Sequence, residues 1–220
     1  MTGTLALVGG GEWQPGCTFD ADLLAAAPGR EVLVMATAAA YEEPSRHEAR
    51  AVEHLGRLGA TVHVAPVYGR SDALDDEHVK AVRETGFVYL SGGASLHAVS
   101  VLKATPLWEA LVAAWADGAV IAASDGAARA LCEPMVDPRG GAFTVGLGLL
   151  RGVAFVPDRG DWSPDRAHRT RLLAPRDLPL VVVDTQSAVI RDPGGTWSVG
   201  GAGGASVYVN AAEVGLDALP

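Results

Sequence analysis

The sequence predicts an α/β fold: a mostly parallel sheet with helices on both faces, closed by a short antiparallel meander at the C-terminus. Three observations carry that reading. Short apolar, β-branched runs alternate with segments of helical periodicity, the pattern of a parallel sheet with crossover helices. Glycines close two of these runs, at Gly9-Gly10-Gly11 and at Ser91-Gly92-Gly93. In the stretch GAVIAASDGAARA, Gly118 to Ala130, an apolar strand breaks through Ser124-Asp125-Gly126 into a helix. Only small residues crowd that bend, because a larger Cβ substituent would collide with the backbone of so sharp a turn.

Taken in order, Leu5 to Val8 is the first strand and Glu31 to Ala36 the second. Glu43 to Leu58 places Ala49, Val52, Leu55 and Leu58 at helical spacing. Thr61 to Val67 is a third strand. Asp75 to Thr85 is a helix with acids in its first turn, where the macrodipole favours them. Phe87 to Leu90 makes a fourth strand, and two helices follow, Ala94 to Lys103 and Pro106 to Asp117, the second opening on a proline suited to a first helical position. The elbow strand spans Gly118 to Ala122. Beyond it, Val153 to Val156 and Leu180 to Val183 read as buried strands with a helix from Pro164 to Ala174 between them. From Ala188 onward, short strands separated by glycine turns read as antiparallel meander. There is no repeat or linker, so residues 1–220 read as one domain, a size that suits a single α/β sheet.

A net charge of −9 without a Lys/Arg cluster excludes a nucleic-acid surface. Cys17 and Cys132 lie far apart with no CxxC, and no HExxH or clustered ligand set occurs, so neither a metal nor a cofactor is expected. No basic leader precedes an apolar core and no stretch has the length of a membrane span, which predicts a cytoplasmic protein without membrane contact. Oligomeric state, including a homodimer, stays open.

The apex of the bend reads as Asp125, where hydrolases of this build carry serine or cysteine. An N-cap aspartate is its inert alternative. Ser124, one residue earlier, should point away from the site. The glycine runs lack the spacing of a dinucleotide fingerprint or a P-loop, so tight turns explain them; the sharper reading makes the N–H groups of Gly92 and Gly93, with Gly126, an oxyanion hole facing Asp125. Of six histidines, only His97 and His168 are placed to reach the elbow.

Four segments, LALVGGGEW, VYLSGGASLHAVSVLKATPLWEAL, GAVIAASDGAARALCEPMVDPRGGAFTVGLGLL and VAFVPDRGDWSPDRAHRT, resemble the dipeptidase E and cyanophycinase family of serine peptidases. The resemblance implies a glutamine amidotransferase-like, flavodoxin-like fold. In that family the elbow reads G-x-S-A-G-A and a later Pro-His supplies the base. Laid on this chain, the serine falls on Asp125 and the Pro-His on Pro157-Asp158, while the acidic member falls near Glu133 or Asp137. Two members of the triad are thus aspartates. A carboxylate attacking a peptide carbonyl gives an anhydride that reverts readily, and Asp158 cannot act as imidazole does near neutral pH. Two carboxylates brought close would instead share a proton, as in two-carboxylate sites.

Three readings follow: carboxylate chemistry at Asp125 and Asp158 on a small molecule or short acidic peptide-like ligand; a pseudoenzyme that binds or scaffolds; or an ordinary hydrolase using Ser124. The family's preference for aspartate implies a basic group in the pocket. Arg129, Arg139, Arg151, Arg159 and Arg166 are candidates, Arg159 being nearest in sequence to Asp158. Trp162 either walls the pocket or staples the next helix.

Overall fold

The computed structural model describes residues 2–158 and 162–220. Five parallel strands, β1 (Leu5–Val8), β2 (Glu31–Met35), β3 (Thr61–Val64), β4 (Phe87–Leu90) and β5 (Val120–Ser124), form the centre of a seven-stranded sheet. Between and after them lie helices α1 (Phe19–Ala26), α2 (Pro44–Arg57), α3 (Asp76–Glu84), α4 (Ser95–Leu102), α5 (Pro106–Ala116) and α6 (Asp125–Leu131). Short strands β6 (Cys132–Glu133), β7 (Met135–Val136), β8 (Phe143–Thr144) and β9 (Leu150–Arg151) follow. Then come β10 (Ala154–Asp158), α7 (Pro164–Leu172), β11 (Leu180–Asp184), β12 (Ser187–Arg191), β13 (Trp197–Gly201), β14 (Ala205–Val209) and β15 (Ala212–Val214).

The large sheet runs β13-β12-β1-β5-β4-β2-β3. The chain moves outward from β1 through β2 to β3, then turns back to β4 and β5. Right-handed crossovers therefore place α1 and α2 on one face and α3 to α5 on the other. The side chains obey the strand period on both faces. Leu5, Leu7, Val88, Leu90, Ile121 and Ala123 enter one core, while Ala6, Val8, Phe87, Tyr89, Val120 and Ala122 enter the other. The antiparallel C-terminal strands are present, divided between two sheets. β12 and β13 extend the large sheet beside β1, whereas β14 and β15 complete a four-stranded sheet, β10-β11-β14-β15. Phe155, Val181, Val183 and Val207 press one face of that second sheet into the main core.

The elbow strand lies later than its sequence suggests, Val120–Ser124, and α1 is an addition to the sequence reading. α1 is short and buries Phe19, Asp20, Leu23 and Leu24, so it lacks a clear polar stripe to announce it. Among the described residues no helix is long and apolar enough to cross a membrane.

Candidate active site at the carboxyl edge of the sheet

β1, β5 and β4 are neighbours, so the loops at their carboxyl ends meet. Ser124 keeps extended backbone, φ −110° and ψ 149°, and Asp125 turns abruptly to φ +47°. A left-handed conformation in a non-glycine residue marks the apex of a strained strand-to-helix turn. The closeness of the packing fixes the neighbours. A Cβ on Gly126 would lie 1.8 Å from the Gly93 carbonyl oxygen, and one on Gly92 would lie 3.0 Å from the Asp125 Cβ. Gly126 requires glycine because backbone stands where a side chain would go, whereas at Gly92 the crowding comes from the Asp125 and Glu12 side chains.

Beneath the bend sits Glu12, buried at 4% exposure on the loop after β1. Its carboxylate accepts from Ser124 Oγ at 2.8 Å and from the Gly92 N–H at 3.0 Å, and His47 Nδ1 of α2 lies 3.5 Å away. Burial alone would raise its pKa. The bonds from His47, Gly92 and Ser124 outweigh that and hold the carboxyl at about 2. One ionised side chain thereby ties together the β1 loop, the β4 glycine turn and the elbow.

Asp125 opens on a cleft of about 190 Å³, lined also by Gly93, Arg129, Pro138, Pro157, Trp162 and Arg166. Arg166 stacks its guanidinium 4.2 Å above the Trp162 ring and donates to the Pro138 carbonyl. Arg129 is buried at 6% exposure. Its charge helps hold the nearby Asp137 carboxyl at about 2, chiefly the work of the bidentate Arg139. The cleft thus gathers two guanidiniums and the apex carboxylate.

No family model matches the sequence, and no curated protein matches it. Among solved structures, a peptidase from an acI-B1 actinobacterium superposes with a TM-score of 0.87 at 28% identity, over 97% of this chain and 93% of that one. A candidate peptidase E protein from Listeria monocytogenes EGD-e superposes with a TM-score of 0.67 at 15% identity, over 92% of this chain and 100% of the other. The chain has a peptidase E-like fold.

In this peptidase E-like chain, Asp125, Gly93, Gly126 and Trp162 gather at the cleft or its elbow, while several other candidates lie elsewhere. The Gly92 N–H donates to Glu12, so it serves the clamp and not an oxyanion. Ser124 is fully buried with its hydroxyl on Glu12, and it does not line the cleft. Glu133 accepts from the Gly146 N–H at 3.1 Å and faces Lys103 Nζ at 3.9 Å, so it braces the β6 turn. His97 is occupied: its Nε2 donates to the Tyr68 carbonyl at 2.8 Å and its ring meets Tyr41 edge-on. His168 is exposed on α7 and lines neither this cleft nor the cavity beside it. Asp158 ends β10 by its backbone, paired in register with Asp184. The Asp158 side chain and all of Arg159 lie outside the described residues.

Sequence reading assigned no role to Glu12, or to His47 beyond packing. The signal for Glu12 was a lone acid in a glycine run at a strand end, LALVGGGEW, where a carboxylate has no solvent-facing helix to occupy. A second such pair, the fully buried Asp20 Oδ2 with the partly buried His54 Nε2 at 3.0 Å, joins α1 to α2.

Proposed function

We propose that this peptidase E-like protein has given up serine–histidine peptidase chemistry and binds or turns over a small, acidic, peptide-like ligand at the Asp125 cleft. One observation carries the proposal. The residue in the left-handed apex conformation is Asp125, while the only hydroxyl of the bend, Ser124, is buried and bound to Glu12. A fully buried serine whose hydroxyl donates to a buried, ionised carboxylate has no path to a substrate carbonyl. In this reading Arg129 and Arg166 receive the ligand's carboxylate, and the Gly93 and Gly126 N–H groups face its reacting carbonyl. Asp125 and Asp158 move protons, one taking a proton as base while the other gives one as acid.

A second reading, binding without turnover, is favoured by the absence of any histidine ring from the cleft lining among the described residues. Titration calorimetry with aspartyl dipeptides, followed by chromatography of the same mixtures, separates the two. Product formation that disappears in Asp125→Asn, with binding retained, supports carboxylate chemistry. Saturable binding without product supports the binding protein. A serine-directed phosphonate should leave no adduct, and an adduct mapped to Ser124 overturns both. Dipeptidase activity restored by Asp125→Ser with Asp158→His would show that the remainder of the site is intact.

A further inference from the structure

β13 ends the seven-stranded sheet, and among the described residues no strand pairs with its outer edge. The pairing register shows what that edge offers. The Asp192 N–H donates to the Thr196 carbonyl and the Ala202 N–H to the Gln186 carbonyl, so Ile190–Ser198 and Ala188–Gly200 are hydrogen-bonded pairs of β12 and β13. Trp197, Val199 and Gly201 occupy the alternate positions and aim their backbone N–H and C=O groups away from β12. Protein sheets deter pairing at such edges with charged side chains or proline. The other end of this sheet, β3, carries His63, and the edge of the second sheet at β15 carries Glu213. β13, Trp197-Ser198-Val199-Gly200-Gly201, carries neither charge nor proline.

An apolar groove runs beside the same edge. Ser198 and Gly200 lie on the face that Ala188 and Ile190 share with the α1–α2 core. Neither fills that face, so α1 approaches closely: a Cβ on Gly200 would lie 3.0 Å from the Phe19 Cβ. α1 ends at Ala26, and between Leu23, Ala26, Ile190 and Ser198 a groove of about 340 Å³ stays open. Asp22 of α1 and Asp192 of the β12–β13 turn line it, and no lysine or arginine does. On the opposite face of the strand Val199 is 40% exposed. The groove shares no lining residue with the Asp125 cleft.

We propose that β13 is a docking edge for an extended segment of another protein, which adds to the sheet as a further strand and carries an apolar residue between two basic ones at alternate positions. Its main chain pairs with Trp197, Val199 and Gly201. Its apolar side chain enters the groove between Leu23 and Ile190, and its basic side chains reach Asp22 and Asp192. A second copy of this chain fits poorly. Its β13 brings no base, its Asp22 and Asp192 would meet like charges, and a net charge of −9 opposes self-association.

The probe is a fluorescein-labelled, C-terminally amidated pentapeptide, Lys-Val-Leu-Val-Lys, titrated by anisotropy into the full chain. Saturable binding is expected, about tenfold weaker for Glu-Val-Leu-Val-Glu at low salt, and raised salt should narrow the difference. Methylating alternate backbone nitrogens separates strand addition from occupation of the groove alone. The methyls go on the leucine and last lysine in one peptide and on both valines in another. Only the phase whose N–H groups face β13 should lose binding, by about tenfold or more. Val199→Pro removes an edge donor without touching the β12 ladder and should weaken binding about tenfold. Should proline disturb the melting transition, Val199→Lys sets a base at the edge and serves instead. Asp22→Asn with Asp192→Asn, the second keeping an acceptor for the Thr196 N–H, should erase the preference for the basic peptide. No binding, or binding that responds equally to both methylation phases, overturns the proposal. So does a dimer of the chain alone that the Val199 variant dissociates, which would put a second copy on the edge.

Discussion

Ser124 Oγ stands 2.8 Å from Glu12 Oε2, while the next residue, Asp125, turns into the cleft at φ +47°. Of the two adjacent side chains, one is held in a buried clamp and the other lines the cleft. Replacing Glu12 by Gln tests the clamp. Ser124 and Gly92 donate to different oxygens of the carboxylate, so the amide retains one acceptor and sets an N–H₂ against the other donor. A loss of about 2–4 kcal/mol in urea unfolding is expected, since buried donors are left unpaired. A variant as stable as the parent would show that the clamp contributes little.

The pH dependence of stability follows from the same carboxylate. Glu12 titrates near about 2 in the fold against 4.5 as a free side chain. A depressed acid contributes stability that is present above the unfolded pKa and is lost as pH falls toward the folded one. The window is therefore from about 4.5 down to about 2, and the amount at stake is about 3 kcal/mol. Asp20 acts in the opposite sense. Burial raises its pKa above 3.8, the His54 contact only partly countering it, so the fold gains stability as Asp20 takes up a proton. Asp20→Asn removes that gain, and its stability should begin to decline at a higher pH than the parent's. Unfolding curves collected stepwise from pH 7 to 3 check both statements.

The elbow conformation can be probed without touching charge elsewhere. Asparagine adopts the left-handed region readily, so Asp125→Asn should keep the backbone of the bend and lose only what the carboxylate's charge contributes. Valine cannot without clash, and Asp125→Val should lose about 1–3 kcal/mol. Equal melting temperatures for the two would argue that the apex lies elsewhere.

Close backbone approach predicts a contrast between two glycines. At Gly126 an added Cβ meets the Gly93 carbonyl oxygen at 1.8 Å. Gly126→Ala should cost about 3 kcal/mol or more, or prevent folding. Gly56, within α2, has open space around its Cβ position and no positive φ. Gly56→Ala should stabilise by about 0.5–1 kcal/mol through helix propensity and a less flexible unfolded chain. Circular dichroism melts of the pair suffice.

Both cysteines are free and buried. Burial pushes the Cys17 thiol up to about 11 and the Cys132 thiol up to about 12. Thiolate is the reactive form, so a disulfide-exchange dye at pH 8 should label neither in the native protein and both in denaturant. Rapid labelling of Cys17 in the fold would show that the α1 region opens readily.

The five parallel strands, most of their crossover helices, and the bend with its need for small residues were legible along the chain. They depend on local period and on steric demands that neighbouring residues express themselves. The identity of Asp125 as apex was also readable, and the left-handed φ found there agrees with it. The short α1 was not, because a helix buried on several sides shows no amphipathic stripe. Nor was the work of Glu12, which meets Ser124 across a separation of 112 residues and Gly92 across 80. The occupation of His97 by the Tyr68 carbonyl, and of the Gly92 N–H by Glu12, was equally out of reach. Sequence by itself determined the run of strands and crossover helices around the bend and that an aspartate follows its serine. Only the tertiary structure decided which residues meet, because hydrogen-bond partners at a sheet edge are set by strand order and not by distance along the chain.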